Sequence, residues 1–309
     1  LQAARVCRRT RRGDSCRGSL GVQNPGMHRL APVPSDLQPW LMAAVVVDAP
    51  AALAHSHFPA MVSSMLVVRL AGQVVCRGAP VPPAAWMSAS TTATLYEHSG
   101  PVRAVGLVLQ PEAAGALFTG TRGQVNALQP LADLVGPSWA AVEHALHAAA
   151  DDGARLEVLF QFIRTMIAPP SACEARRQQA LALLHAASPD ATGAAPHMGL
   201  SQRQFERRFV AHWGMAPKQF AVIARLNSAL GHALAAQDRP VVELAADQGY
   251  YDQSHLGRDV RRLAGQPLQA LVQRAATPLT PHWPLQIGAQ TLADQPPLPT
   301  APAAPARRR

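Results

Sequence analysis

Two segments towards the C-terminal end of the chain combine a buried apolar face with outward side chains suited to nucleic-acid recognition. In the first, Phe205 and Phe209 lie four residues apart, as on one face of a helix. On a helical wheel, Arg203 and Arg207 project away from that face. Guanidinium groups can bind guanine edges or phosphates, and a glutamine can pair with adenine. The residues predicted to contact DNA here are Gln202, Arg203, Gln204 and Arg207.

The same arrangement recurs further along the chain. Pro240 suits the first turn of a short helix, and Gly249 supplies a turn before a second helix that Asp252 caps and Gly265 ends. A short helix, a glycine-containing turn and an outward-polar helix form the helix-turn-helix pattern. The outward residues of this second helix, also predicted to contact DNA, are Gln253, Ser254, His255, Arg258 and Arg261.

Either helix alone could be a solvated charged surface, but the repetition with matching turns favours DNA binding. A longer helix over residues 216–236, with its apolar residues facing inward, is predicted to join the two units. Arg208 lies close to Phe205 on the helical wheel. We therefore expect Arg208 to form a structural ion pair rather than a base contact.

Few other residues suggest chemistry. His55 and His57 alternate in a strand-like segment and so face one side, but no third ligand follows at a metal-site spacing. No nucleophile motif or phosphate-binding glycine loop is present. We therefore predict no metal, no cofactor and no catalytic residue. If the N-terminal region holds a ligand pocket, the candidate lining residues are His55, His57 and Trp86.

The apolar pattern changes along the chain from strand-like to helical. Residues 40–109 alternate short apolar runs with Pro, Gly and Ser clusters, which favours a small β-sandwich or barrel. From Pro111 to residue 167, apolar residues recur at helical spacing. Pro169-Pro170 ends the last of these helices, and an amphipathic helix follows over residues 174–187. A compact helical region spans residues 200–274.

Composition and charge fit two domains of different character. Hydrophobic residues make up 48% of the 309-residue chain, enough for two buried cores. Residues 31–197 carry a net charge of −3, whereas residues 198–276, with ten basic and six acidic groups, carry +4. A basic segment on a slightly acidic body suits binding to a polyanion. No apolar run is long enough to predict a membrane span, and the four scattered cysteines suit free thiols in a reducing cytosol.

The two ends lack apolar periodicity. Residues 1–26 are rich in arginine, and three interpretations are open: a basic DNA-binding arm, a targeting peptide, or a non-native extension before Met27. We expect residues 1–26 to be dispensable. Residues 277–309 are rich in Pro, Ala and Gln, and we expect them to be disordered.

Residues 200–234 and 241–271 resemble the DNA-binding domain of AraC-family transcription regulators, and the resemblance extends over residues 174–274. Residues 40–167 resemble more weakly the small β-rich N-terminal domain found on one branch of that family. The matching residues are Ser201, Phe205, Arg208, Phe209, Gly214, Pro217 and Arg225 in the first half, and Ala245, Gly249, Tyr250, Asp252, Ser254, Arg258, Gly265 and Pro267 in the second.

Two features depart from the family pattern. The helix that should support the first recognition helix falls on residues 191–198, where Gly193 and Pro196 cost about 1 and about 3 kcal/mol in a helix interior. We therefore expect this helix to be frayed and the second unit to be the better ordered. In that second unit, Leu256 and Val260 stand where the family usually has Phe, which predicts a thinner core.

The patterns and the resemblance together predict an α+β multidomain fold. A small β-rich N-terminal domain with trailing helices precedes an all-α domain with two helix-turn-helix units. The predicted boundaries are a basic extension over residues 1–30, an effector or dimerisation domain over 31–168, a DNA-binding domain over 169–276 and a tail over 277–309.

The resemblance implies a sequence-specific transcription factor in the cytoplasm, associated with the nucleoid, that binds double-stranded DNA and RNA polymerase. It leaves open a small-molecule effector and a homodimer. Two alternatives come from other classes: an enzyme that uses the C-terminal domain only for DNA targeting, and a structural DNA-binding protein without an effector. The N-terminal sequence shows no catalytic cluster that would favour the enzyme.

Overall fold

The N-terminal half of the protein is built on an antiparallel β-sheet. A computed structural model describes residues 28–187, 199–235, 240–275, 277 and 280–286. The strands are β1 (His28–Ala31), β2 (Leu41–Ala49), β3 (His55–Phe58), β4 (Met65–Cys76), β5 (Ala79–Pro80), β6 (Ala84–Met87), β7 (Thr94–Leu109) and β8 (Leu128–Pro130). They pair in the order β1-β2-β7-β4-β6-β8, while β3 pairs with β7 and β5 pairs with β4.

The long strand β7 organises this sheet. It pairs with β4 along most of its length, with β2 through its C-terminal half and with β3 at its N-terminal end. Near the C-terminal end of β7, Gly106 is flanked by Val45 on one side and Val67 on the other. A Cβ atom at Gly106 would lie 2.9 Å from the carbonyl oxygen of Leu66, so the close approach of the strands requires glycine here.

The two faces of the sheet belong to different cores, because successive residues of a strand point in opposite directions. In β2, Ala44 and Val46 belong to the first core, which lies between the sheet and the helices that follow it. Val45 and Val47 belong to the second core, on the opposite face. The apolar run of β2 is therefore continuous because both faces of the sheet are covered.

Five helices cover the first face of the sheet. They are α1 (Pro111–Leu117), α2 (Leu131–Val135), α3 (Trp139–Ala148), α4 (Asp152–Ile167) and α5 (Pro170–Ala186). Aromatic rings close the core between them: the ring centroids of Trp86 and Phe118 lie 5.1 Å apart, and those of Trp139 and Phe162 lie 5.5 Å apart. This arrangement confirms the predicted β-rich domain with trailing helices.

The C-terminal region is helical, as predicted. Its elements are α6 (Gln202–Trp213), α7 (Pro217–Ala235), α8 (Val241–Asp247), α9 (Gln253–Ala264) and α10 (Leu268–Ala275). They enclose a third core that also takes in Ala60, Val62 and Ala89 from loops of the β-rich region. The fold class is therefore confirmed, and the two regions share a hydrophobic contact.

Helix α5 joins the two regions and starts earlier than the sequence predicted. Its first residue is Pro170. Proline fits there because the backbone N–H at the first helical position has no partner within the helix. Near its start, Cys173 is buried in the first core, whereas Leu183 near its end is buried in the third. The boundary predicted at 168/169 therefore precedes a helix that contributes to both regions.

Two predictions for the chain ends need correction. Strand β1 begins at His28, inside the segment predicted as an extension, because residues 28–31 pair with β2 and the His28 ring is buried against Trp283. Residues 280–286 lie in the segment predicted to be disordered, yet Trp283 and Leu285 are buried. A single tryptophan without periodic neighbours gave no signal that it would pack.

Several predictions fall on residues that the structure does not describe. These are the arginine-rich residues 1–26, the proposed supporting helix over residues 191–198, and Ala236 at the end of the joining helix. Among the described residues, no helix combines the length and apolar character needed to cross a bilayer.

Candidate nucleic-acid interface

Helix α6 begins and ends as its sequence predicts. The Ser201 hydroxyl oxygen accepts a hydrogen bond from the Gln204 backbone N–H at 3.3 Å, and the Gln204 amide oxygen accepts one from the Ser201 backbone N–H at 2.9 Å. This reciprocal capping satisfies amides that a helix start leaves unpaired. Gly214 ends the helix at a φ of 69°, in the left-handed region that glycine adopts without strain.

An aromatic stack holds α6 against α7. The centroids of Phe209 and Trp213 lie 4.4 Å apart, and Phe220 of α7 contacts both rings at 5.6 Å. Phe205 completes the buried face at 5.9 Å from Phe209. With this face buried, the opposite face of α6 is left to solvent.

The predicted contact residues of α6 are all exposed. Gln204 is partly engaged in the helix cap, and the Gln202 side-chain amide donates to Glu206 at 2.9 Å. Arg203 and Arg207 form no ion pair or hydrogen bond within the described part of the chain. Their guanidinium groups are therefore available to an external anion.

Arg208 does not form the structural ion pair that the sequence predicted. No carboxylate of the described residues pairs with it, and its side chain is exposed. Instead it borders a surface recess shared with Arg122, Gln179 and His212. The helical wheel placed Arg208 near the buried face of α6, but it does not reveal which residues lie beside that face.

The second unit repeats the local geometry. Helix α8 leads into Gly249, whose φ is 68°, and the buried ring of Tyr250 follows. The carboxylate of Asp252 then accepts a hydrogen bond from the His255 backbone N–H at 2.7 Å and caps α9. Gly265 ends α9 at a φ of 72°. The turn, the cap and the end residue are those predicted from the sequence.

Four of the five predicted contact residues of α9 are exposed: Gln253, Ser254, Arg258 and Arg261. The fifth, His255, is turned towards the protein. Its ring lies 5.2 Å from the ring of Tyr250, and its Nε2 atom lies 3.8 Å from a carboxylate oxygen of Asp259. Like the arginines of α6, Arg258 and Arg261 have no ionic partner among the described residues.

A buried acidic residue that sequence analysis missed organises this second unit. Asp259 is 7% exposed and accepts a hydrogen bond from Arg262 at 2.9 Å. Arg225 of α7 lies 3.8 Å from the other oxygen of the Asp259 carboxylate. The same guanidinium group lies 4.4 Å over the Tyr250 ring and donates to the Gly249 carbonyl oxygen. The i,i+3 spacing of Asp259 and Arg262 was the available signal.

One further exposed residue was also missed. Tyr251 lies between the buried Tyr250 and the cap Asp252, and 93% of its surface is exposed. It therefore stands at the N-terminal end of α9, where unpaired backbone N–H groups attract anions. A tyrosine hydroxyl is one of the groups that proteins use on DNA phosphates.

The two regions touch through polar as well as apolar contacts. The Ala60 backbone N–H donates to the Leu263 carbonyl oxygen at 2.8 Å, and the Asn227 side-chain amide donates to the Ala60 carbonyl oxygen at 2.7 Å. At the end of α6, the Gly123 backbone N–H donates to the His212 carbonyl oxygen at 2.9 Å. Both helix-turn-helix units are thus attached to loops of the β-rich region.

His212 is the titratable group at this contact. Burial, followed by the nearby charge of Arg122, lowers the pKa of His212 to about 4. Its Nε2 atom is buried without a hydrogen-bond partner among the described residues. The imidazole is therefore neutral near pH 7 and sits in an environment that disfavours its protonation.

The predicted ligand residues do not line the apolar cavity of the β-rich region. This cavity, of about 80 Å³, lies on the second face of the sheet. Trp86 is buried in the first core, because its side chain points to the opposite face from its neighbours Ala85 and Met87. His55 is exposed, and His57 packs against the ring of His282 at 5.0 Å.

Other residues line this cavity, and nearly all of them are apolar. Its polar groups come from Ser56, Arg69, Tyr96 and His98, and Trp283 of the C-terminal segment closes one side. Within the described residues, no group of three or more His, Cys, Asp or Glu side chains could hold a metal ion. The lining of the cavity is therefore an apolar surface with few polar groups.

Part of the sequence matches a known protein family. Residues 194–274 match the family described as "Helix-turn-helix domain", a range that includes α6, α7, α8 and α9. No curated protein matches the sequence significantly.

Solved structures that align with the chain include two of ToxT from Vibrio cholerae O395. One is 7% identical, covers 74% of this chain and 95% of its own, and has a TM-score of 0.43. The other, described as bound to (E)-4-(8-methylnaphthalen-1-yl)but-3-enoic acid, is 6% identical, covers 80% of this chain and 98% of its own, and has a TM-score of 0.44. With the family match and both capped, outward-basic helices in place, residues 194–274 of this chain carry a helix-turn-helix domain of the AraC type.

Proposed function

We propose that the protein regulates transcription by binding duplex DNA through α6 and α9, and that its β-rich region senses a small apolar molecule. The observation that carries the DNA-binding part is the pair of capped helices whose outward arginines lack partners in the described chain. Arg203 and Arg207 occupy one helix, and Arg258 and Arg261 occupy the other. Each arginine can bind a guanine edge bidentately or neutralise a phosphate.

Exposure and hydrogen bonding suggest a division among the predicted contacts. Arg203 is the second residue of α6, at the end that enters the major groove in helix-turn-helix proteins, and Arg258 lies midway along the exposed face of α9. We assign base contacts to these two residues. Tyr251 and the capped start of α9 suit a phosphate instead. His255 is engaged with Tyr250 and Asp259, so we assign it to positioning α9.

The cavity on the second face of the sheet supports the sensing part. The cavity is almost wholly apolar. The loop at Ala60, which contacts Leu263 and Asn227, belongs to the same β-rich region as the cavity. A ligand that altered this region would act on contacts to α7 and α9. A homodimer and a contact with RNA polymerase are further proposals that rest on the resemblance to the AraC family.

The proposed DNA binding is tested by measuring affinity for DNA. The probes are fragments that the full chain selects from genomic DNA. Arg203→Ala and Arg258→Ala should each weaken binding by about 1–3 kcal/mol, with circular dichroism unchanged. Arg103→Ala is the matched control, because it removes a positive charge from the surface of the β-rich region. Equal affinities for the two helix variants and the wild type would overturn the proposal.

A further inference from the structure

Residues 280–286 connect two cores of the molecule. Trp283 is 5% exposed and belongs to the core on the second face of the sheet. Two residues later, Leu285 is 6% exposed and belongs to the core of the helix-turn-helix region. The Gln286 side-chain amide also donates a hydrogen bond to the Ala275 carbonyl oxygen at the end of α10. This segment, which we call the clasp, therefore joins the β-rich region to the DNA-binding region.

Trp283 sits in its site as a ligand would. Its indole N–H donates to the Ser56 hydroxyl oxygen at 2.7 Å. Its ring lies 5.6 Å from the ring of Phe58, edge to face, and 5.6 Å from the ring of His28. The ring of Tyr96 packs edge to face against Phe58 at 5.1 Å. The site thus offers aromatic walls and one hydrogen-bond acceptor to a flat bicyclic ring.

The cavity beside Trp283 is too small for a metabolite while the indole is in place. Its volume is about 80 Å³, whereas a cavity of roughly 150 Å³ is known to hold benzene and ligand pockets measure about 300–1,000 Å³. Withdrawal of the indole would join the space it occupies to this cavity. The enlarged site would be lined by Val45, Val47, Phe58 and Met65, among others.

The clasp is held less firmly than its buried apolar surface suggests. His282 is 1% exposed, and neither nitrogen of its ring has a hydrogen-bond partner among the described residues. The His28 Nε2 atom, beside the Trp283 ring, is buried and unpartnered as well. Burying polar groups without partners costs free energy that water would recover on release. A ligand that competes with Trp283 can therefore shift the equilibrium from the docked clasp towards the released clasp.

We propose that Trp283 is an internal occupant of the effector site, and that the site takes a planar bicyclic aromatic compound with one ring N–H, which displaces Trp283 and releases the clasp. This inference rests on the proposed sensing function of the β-rich region. Because Leu285 belongs to the same clasp, displacement of Trp283 also loosens the contact of Leu285 with the helix-turn-helix core. Ligand binding is thereby linked to the freedom of the DNA-binding region.

Calorimetric titration of the full chain with indole is the first test. Trp283→Ala vacates the site, and Leu285→Ala weakens the other anchor of the clasp while leaving the indole ring in the chain. If the clasp is docked in nine molecules of ten, removing the competitor raises the apparent affinity for indole about tenfold. We expect that increase in Trp283→Ala and a smaller one in Leu285→Ala. Folded variants that both bind indole no more tightly than the wild type would overturn the proposal.

Chemical selectivity provides a matched control. In the Trp283→Ala background, Ser56→Ala should weaken indole binding about two- to tenfold, because one hydrogen bond is lost. The affinity for 1-methylindole, which has no N–H, should be unaffected by Ser56→Ala. Equal sensitivity of the two compounds to Ser56→Ala would place the ring elsewhere and contradict the proposal.

Hydrogen exchange in the wild type distinguishes two cases. In one, indole displaces Trp283; in the other, indole only fills the cavity that Trp283→Ala creates. Saturating indole should raise the amide exchange of residues 280–286, as Trp283→Ala does without ligand. Indole binding that leaves this exchange unchanged would show that Trp283 is a fixed core residue. The proposed sensing function is tested by a different outcome. Clasp release without any change in DNA affinity would refute sensing but would leave the displacement of Trp283 intact.

Discussion

The two helix-turn-helix units have the same outline but are held together by different forces. The first relies on an aromatic stack around Phe209 and on the contact of His212 with the β-rich region. The second relies on smaller aliphatic residues and on the ionic cluster around Asp259. The shared outline follows from the caps and turn glycines, which recur in both. The difference indicates that one unit depends on buried apolar area and the other on charge pairing.

The largest effect should come from the aromatic stack. Phe209→Ala should lower the free energy of unfolding by about 3–5 kcal/mol, because a fully buried ring is replaced by a cavity. Chemical denaturation of the full chain measures this value. Phe209→Leu is the control and should lose clearly less, since it keeps most of the buried apolar surface. A loss below about 1 kcal/mol for Phe209→Ala would contradict the importance of the stack.

The ionic cluster should show the next effect. Asp259→Asn removes the charge that Arg225 and Arg262 share, and should destabilise the protein by about 1.5–3 kcal/mol. Because the cluster fixes the start of α9 through Tyr250, amide exchange should rise in α9 more than in α6. Arg262 is 58% exposed in its side chain, so Arg262→Ala should cost less than Asp259→Asn. Equal exchange in both helices would show that the cluster does not distinguish the units.

These differences show where sequence analysis stops. The caps at Ser201 and Asp252, the turn at Gly249 and the buried stripes are local, and local spacing predicts them. Asn227 gave no such signal, because its partner at Ala60 is remote in sequence. Periodicity shows that a residue is buried but does not identify what covers it.

The cavity illustrates the same limit within one strand. Alternation in β6 places Trp86 on one face and its neighbours on the other, and the sequence alone does not indicate which face holds the space. Trp283 was missed because it stands alone in a Pro-rich stretch without any repeat. A lone aromatic residue there is compatible with both a buried and an exposed position.

Acid should also affect the first unit, through His212. The pKa of His212 is lowered to about 4 by burial and by Arg122, so the folded chain stays unprotonated there while the unfolded chain protonates near 6.5. Stability is therefore unaffected by His212 above pH 6.5 and falls as the pH drops from 6.5 to 4, by at most about 1.4 kcal/mol per pH unit. His28 and His282, whose burial also lowers the pKa to about 4, add to the slope.

Denaturation at pH 8, 6 and 5 measures this dependence. His212→Gln should unfold with a shallower pH dependence than the wild type below pH 6.5, and the two slopes should agree above it. Identical slopes over the acidic range would mean that His212 is not responsible for the loss.

The central claim is that α6 and α9 both read bases, each at its own position. Selection of bound sequences from a randomised duplex library, with the wild type, Arg203→Ala and Arg258→Ala in parallel, tests it most directly. Each variant should lose base preference at one site only, and the two sites should lie about one helical turn, roughly 10 base pairs, apart. Loss of the same base preference in both variants, or preferences unchanged in both, would contradict recognition by two helices.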